Sequence, residues 1–294
     1  MERTRGEKIF QVVNIFLMLL VCVVTLYPYL NQVAISFNEG MDAMFGGITI
    51  FPRKFTLVNY EAVFKNRSII NGAYISVSKT VIHTVLGLAV LFMSAYGITR
   101  SKLPYRKEIT LFLMIPSYIS AGTIPVYLLY RYIGLMNTYW VYVLPGLYSF
   151  YNMVILRSFL QELPVSIEES AKLDGANDFQ IMYKIALPLS KPVLATVALW
   201  LSVGSWNGWM DTLLYITDRS LFPLTYIMMQ LIKESSLAQQ MATDSGTSDQ
   251  SMSQPTPETV KAATLVVTTL PIIMVYPFLQ KYFIKGVTLG AVKG

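Results

Sequence analysis

Chemistry needs reactive side chains at workable spacing, and this chain of 294 residues holds few of them. Its one histidine is His83 and its one cysteine is Cys22. A single imidazole makes no His-His metal pair, no H-E-x-x-H site and no Ser-His-Asp triad by itself. One thiol makes no disulfide framework and no Cys-based metal site. A G-x-x-x-x-G-K-[ST] phosphate loop is missing, and the glycines of the terminal GVTLGAVKG are not at that spacing, so the chain alone does not hydrolyse ATP. Acidic residues inside apolar runs would point to ion coupling; Asp211, near the end of one run, is the best candidate. The densest polar pattern is EESAKLDGANDFQIMYKIALPLSKP, Glu168–Pro192, set between two long apolar runs. These absences leave no catalytic constellation for an enzyme.

Residue by residue, this stretch encodes folded structure. Pro164 stops the preceding helix. Ser166 stands three residues before Glu169, the spacing of a capping box. The new helix can run to Leu173, and Asp174-Gly175 supplies a left-handed cap. Asn177 and Gln180 repeat the capping spacing, after which Phe179, Met182, Tyr183 and Ala186 fall on one helical face. Pro188 ends that helix, and Pro192 suits the first turn of the next one. The expectation is a short helix, a Gly-centred turn and a second, amphipathic helix. The first presents Ser170 and Ala171 beside Glu168, Glu169 and Lys172, a knob suited to a groove on another protein. An interfacial loop packed on its own bundle has the same polarity, and both readings stand on these residues alone.

The elements that must position this knob are membrane spans. Apolar residues make up 54% of the chain and charged residues only 14%, against about 25% charged in soluble domains. The apolar runs reach the roughly 20 residues a bilayer requires. Spans are expected at about 10–36, 73–99, 109–131, 139–158, 193–216 and 262–284, an all-α polytopic membrane protein with about six transmembrane helices. The net charge of +6 fits basic residues in cytoplasmic loops, and no basic, aromatic-interleaved segment suggests nucleic acid. Arg3, Arg5 and Lys8, the RSKLPYRK turn at 100–107, and Lys281, Lys285 and Lys293 all fall inside if the N-terminus is cytoplasmic; with six spans both termini are. The first run is too long for a signal-peptide core and reads as a retained span, with Cys22 as a packing residue in it. The whole of 1–294 reads as one transmembrane domain, with a cytoplasmic loop at 161–192 and extracytoplasmic loops at 38–71 and 217–261. Within 217–261, SSLAQQMATDSGTSDQSMSQPTPETVK is so poor in large apolar residues that part of it is expected to be mobile.

Glu169-Ser170-Ala171-x-x-Asp174-Gly175-Ala176 followed by Ile185-x-Leu187-Pro188-x-x-x-Pro192 resembles the EAA motif of ABC-importer permeases. Ser170 stands for the second-position Ala and Met182 where Phe is frequent. LYPYL at 26–30, FT-x-x-NY at 55–60, SWNGWMDTLLYI at 205–216 and TLPIIMVYPFLQKYFIKGVTLGAVKG at the end are similar to the maltose-permease-type carbohydrate family. Within it, the branch serving complex-oligosaccharide and polysaccharide uptake in Gram-positive bacteria is the most similar. The resemblance implies a type I importer permease (MetI-like) fold in the bacterial cell membrane. It implies a second permease subunit, a pair of ABC ATPase subunits that use ATP and Mg²⁺, an extracellular solute-binding lipoprotein, and a carbohydrate substrate; this chain itself binds no cofactor and no metal. It also implies that the first helix of the motif is a coupling helix seated in a cleft of the ATPase. The expected coupling set is Glu168, Glu169, Ser170, Ala171, Asp174, Gly175, Ala176, Ile185, Leu187 and Pro188, with Glu169 for a polar contact and Ala171 for close fit.

A sugar path needs flat apolar faces beside hydrogen-bonding groups. Trp206, Asn207, Trp209 and Asp211 combine these near the end of the fifth run, although Trp is also an ordinary residue of the membrane interface. Tyr27, Tyr29, Asn31 and Gln32 in the first span have the same ambiguity. The tail Lys285–Gly294 is open to two readings, an ATPase contact or a positive-inside anchor. A permease for another binding-protein-delivered solute fits the same motif. A secondary transporter or channel requires coupling charges that the spans largely lack.

Overall fold

The computed structural model describes residues 5–99, 103–245 and 255–291, with side chains described except at 5, 235–245 and 278–291. Helices dominate; a single Asn38–Phe55 bridge is the only β pairing among the described residues. The order is α1 (Arg5–Ser36), α2 (Gly40–Met44), α3 (Val58–Lys65), α4 (Arg67–Thr99), α5 (Arg106–Tyr118), α6 (Thr123–Tyr132) and α7 (Phe150–Gln161). There follow α8 (Val165–Leu173), α9 (Asp178–Ile181), a π-helical turn at Met182–Ala186, α10 (Leu187–Leu189), α11 (Lys191–Asn207) and α12 (Met210–Tyr215). α13 (Leu224–Ser245) and α14 (Pro257–Ala291) complete the chain.

The first, second and sixth expected spans fall on long helices, α1, α4 and α14. The other three are broken. α5 and α6 meet at 114°, where Pro116 lies in the last turn of α5 and Gly122 (φ +82°) precedes α6. The 139–158 run begins as a 3₁₀ turn at Tyr139–Tyr142, passes Gly146 (φ +81°) and becomes helical only at Phe150, where Ser149 accepts from the Asn152 N–H. The fifth run breaks at Gly208, between α11 and α12. Among the described residues three helices are long and apolar enough to cross a membrane, or five if each sharply bent pair is one span. Of the expected 217–261 loop, Leu224–Ser245 is helical and α14 begins at Pro257; 246–254 lie outside the described residues.

Two compact units emerge, Met1–Ile70 with Ile227–Leu270 and Asn71–Tyr226 with Pro271–Gly294. In the first, the segment after α1 folds back on itself. The buried Asn38 amide donates to Asp42 and accepts from the Lys54 N–H, and Arg53 bonds the Asp42 carboxylate at 3.0 Å. The Asn38 amide and the Arg53 guanidinium hold the Asp42 carboxyl below its ordinary range. Residues 6–28 of α1 are exposed along their whole length. Cys22 is therefore not a core packing residue; in a membrane protein such a surface meets lipid or another subunit.

The second unit has a core built from four elements. Leu91, Phe92, Ala95 and Tyr96 of α4 meet Met153, Leu156 and Leu160 of α7, Met182 and Ala186 of the π turn, and Val197 and Leu201 of α11. The segment after α7 is thus wired into the bundle at its second helix.

Candidate functional site

The Glu168–Pro192 segment folds as two short helices around one glycine. α8 starts earlier than the Ser166 spacing implies: Pro164 is the N-cap, its carbonyl accepts from the Ile167 N–H at 3.2 Å, and no side chain caps the helix. Proline's fixed φ leaves the chain poised to turn, which puts Ser166 inside the helix, where its hydroxyl cannot serve as the cap. At the other end Gly175 stands at φ +83°. The Ala176 N–H reaches the Ala171 carbonyl at 2.9 Å and the Gly175 N–H reaches Lys172 at 3.0 Å. This six-to-one and five-to-two pair is a Schellman closure, and it depends on a left-handed residue between the helices.

The second start forms as its spacing requires. Asn177 accepts from the Gln180 N–H at 2.8 Å, and the Gln180 side chain accepts from the Asn177 N–H at 3.0 Å. Pro188 does not end this helix abruptly. Its ring would collide with the carbonyl four residues back, and the chain instead widens into the π turn at Met182–Ala186 and continues to Leu189. The widened turn also splits the expected apolar face. Met182 and Ala186 enter the core, while Phe179 and Tyr183 stay exposed and pack on each other at 4.9 Å between centroids. The Tyr96 hydroxyl donates to the Asp178 carbonyl at 3.0 Å, tying α4 to the start of α9.

Of the expected coupling residues, Glu169, Ser170, Asp174, Gly175 and Pro188 are exposed, and Glu168, Ala176, Ile185 and Leu187 are half-buried. Ala171 is buried within this chain, so its small size serves the chain's own packing and not an outward fit. The most exposed apolar side chain of the segment is Leu173, 89% accessible at the end of α8. Sequence reasoning passed over it because apolar residues attract notice only when they are patterned. The tail Lys285–Gly294 lies outside the residues with described side chains, and Arg100 and Lys102 of the 100–107 turn lie outside the described residues altogether.

A second polar feature sits where the spans break. Ser76, Lys79 and His83 are spaced three and four apart, on one face of α4. The Leu224 N–H donates to Ser76 Oγ at 2.8 Å, Lys79 Nζ donates to the Gly208 carbonyl at 2.7 Å, and His83 Nδ1 lies 3.0 Å from the Val143 carbonyl. A carbonyl only accepts, so Nδ1 carries the His83 proton. All three backbone groups belong to interruptions of regular helix, and in apolar surroundings such groups must find partners within the protein. The Tyr142 hydroxyl adds to the clasp, donating to the Leu221 carbonyl at 2.9 Å and lying 3.0 Å from Thr212 Oγ1.

Beside this clasp is a cavity of about 190 Å³, lined by Lys79, His83, Tyr142, Gly146, Ser205 and Asp211 among others. Asp211 is the one expected path residue that reaches it. Trp206 is buried and lines a separate apolar cleft with Val77 and Pro271, while Asn207 is exposed and Trp209 half-buried. Lys79 was missed because it sits inside an apolar run; the charge itself, in such a run, was the available signal.

Comparison with known proteins agrees with this architecture. The family described as "Binding-protein-dependent transport system inner membrane component" matches residues 85–289. Protein LplC of Bacillus subtilis (strain 168) is 37% identical over 100% of this chain and 98% of its own length. The polygalacturonan/rhamnogalacturonan transport system permease protein YtcP of the same organism is 34% identical over 98% of this chain and 99% of its own. A chain in the crystal structure of a bacterial ABC transporter involved in the import of the acidic polysaccharide alginate superposes with a TM-score of 0.86. It is 26% identical and covers 96% of this chain and 99% of its own.

Proposed function

This chain belongs to the family of binding-protein-dependent transport system inner membrane components, and from that premise we propose that it is one of two permease subunits of an ATP-driven oligosaccharide importer. As a member it is a multi-pass membrane protein and a transporter, not an enzyme. In the proposed arrangement a second permease completes the path, an ATPase pair docks from the cytoplasm, and an extracellular binding protein delivers the sugar. Both termini and the Glu168–Pro192 segment face the cytoplasm, and 38–71 and 217–261 face outward. ATP and Mg²⁺ are held by the ATPase subunits.

The single observation that carries the coupling assignment is the closure at Gly175. It fixes α8 as an outward knob while Met182 and Ala186, a few residues on, lie in the core among α4, α7 and α11. A rigid knob joined to the core transmits a push on its surface to the helices behind it. Glu169 and Leu173 are the exposed groups for the ATPase to hold. The sugar assignment rests on relatives whose names specify polygalacturonan and rhamnogalacturonan or alginate.

Uptake of labelled oligosaccharides by cells lacking this chain, with and without a restoring copy, tests the function. Uptake should fall to background and return with the copy. Undiminished uptake of every oligosaccharide delivered by the cognate binding protein contradicts the reading.

A further inference from the structure

We propose that the cavity beside the α11–α12 break is a saccharide subsite that reads one acidic ring, with Lys79 donating to the ring carboxylate and Asp211 accepting from its hydroxyls. This rests on the oligosaccharide reading above and adds the class of sugar and a point of contact on this subunit.

Lys79 carries more charge than its structural role requires. Lys79 is 2% exposed and about 18 Å along α4 from Arg67, at 1.5 Å per residue. Its bond to the Gly208 carbonyl needs a donor but no charge; the neighbouring bond from the Leu224 N–H to Ser76 Oγ is made by two neutral groups. An ammonium at such a position is costly and marks substrate or ion pathways. Its donors are also not exhausted. One serves Gly208, and the Tyr142 ring lies 5.0 Å away, a cation–π distance. The remaining donor capacity of the ammonium is available to the cavity it lines.

Asp211 lines the same cavity and its charge acts on Lys79 through space, but among the described residues the two are not in ion-pair contact and no hydrogen bond to the Asp211 carboxylate is seen. Two opposite charges that share a cavity without contact each retain hydrogen-bonding capacity for a bridging ligand. A ring bearing a carboxylate and neighbouring hydroxyls matches both: an acceptor with charge for Lys79, donors for Asp211. A neutral ring offers Lys79 only hydroxyl oxygens and leaves the buried ammonium without an added counter-charge. Size sets the same scale. At about 190 Å³ the cavity is below the roughly 300–1,000 Å³ of clefts that take a drug-sized ligand, so it suits one ring of a chain passing through. A Cβ added at Gly204 would meet nothing within 4 Å, which leaves that wall open.

The test separates charge from hydrogen bonding. Lys79→Gln keeps a donor for Gly208 and removes the charge; Lys79→Arg keeps the charge. Each is placed in cells carrying the whole importer, and uptake of trigalacturonate is compared with uptake of neutral galactotriose at equal membrane abundance. The expected result is a fall of at least tenfold in trigalacturonate uptake with Lys79→Gln, little change for any galactotriose uptake, and near-normal trigalacturonate uptake with Lys79→Arg. Gly204→Val, whose Cβ has no atom within 4 Å, adds bulk to the cavity lining and should lower trigalacturonate uptake as well. Equal effects of Lys79→Gln on both sugars, or no effect on trigalacturonate, overturn the subsite while leaving the importer reading intact. Wild-type cells that take up neither trigalacturonate nor any other oligosaccharide overturn the importer reading and the subsite together.

Discussion

At Gly175 the backbone stands at φ +83°, and a side chain there would meet no atom within 4 Å. The position is therefore demanding in conformation and permissive in space. A β-branched residue must bear the left-handed strain, about 1–2 kcal/mol, or let the turn relax and swing α8 away from its seat. Gly175→Val should insert in the membrane at wild-type abundance and lower substrate uptake at least tenfold, while Gly175→Asn, which tolerates the left-handed region better, should retain more. Uptake assays normalised to membrane abundance check both. The same reasoning explains why Gly175 was legible from sequence and Ala171 was misread. Asp-Gly after a short polar helix specifies a local backbone shape. The side to which a small residue turns depends on what the rest of the chain places behind it.

Helix boundaries divide along the same line. The Asn177–Gln180 box forms because both partners lie within one turn and need nothing else. Asn177→Ala should cost about 1 kcal/mol, loosening the start of α9; uptake should fall by a few-fold, less than for Gly175→Val, with the thermal midpoint of the purified importer slightly lowered. The Ser166 spacing is equally local, but Pro164 preempts it by starting the helix earlier. The spans were harder. Gly122, Pro145-Gly146 and Gly208 are local turn signals, but each lies in an otherwise apolar run, where composition marks a crossing and says nothing of direction. At 143–149 and 208–209 the freed backbone groups are met by distant partners on α4, His83 and Lys79, and pairings across 60 and 129 residues leave no trace in local pattern. The π turn before Pro188 is intermediate: the proline announces a disturbance, and only the core contacts of Met182 and Ala186 decide that the chain widens and continues.

For the molecule as a whole, the exposed surfaces define what is missing from an isolated chain. Residues 6–28 of α1 form an exposed, mostly apolar helix, which membrane lipid and a second permease would cover. The α8 knob instead carries charge beside a few exposed apolar side chains, of which Leu173 is the most exposed, and suits a soluble partner. Burying a leucine contributes about 1.5–3 kcal/mol, so a charge at that position should weaken docking by about tenfold or more, and at 89% exposure it cannot disturb the chain's own core. The central claim is that the segment around Gly175 is where an ATPase takes hold. It is tested most directly by purifying a tagged copy of this chain from its native membrane, as wild type and as Leu173→Asp. The wild type should bring down an ABC ATPase and a second permease, and Leu173→Asp should keep the permease and lose most of the ATPase. Recovery of no ATPase with the wild type, or of undiminished ATPase with Leu173→Asp, would contradict the account.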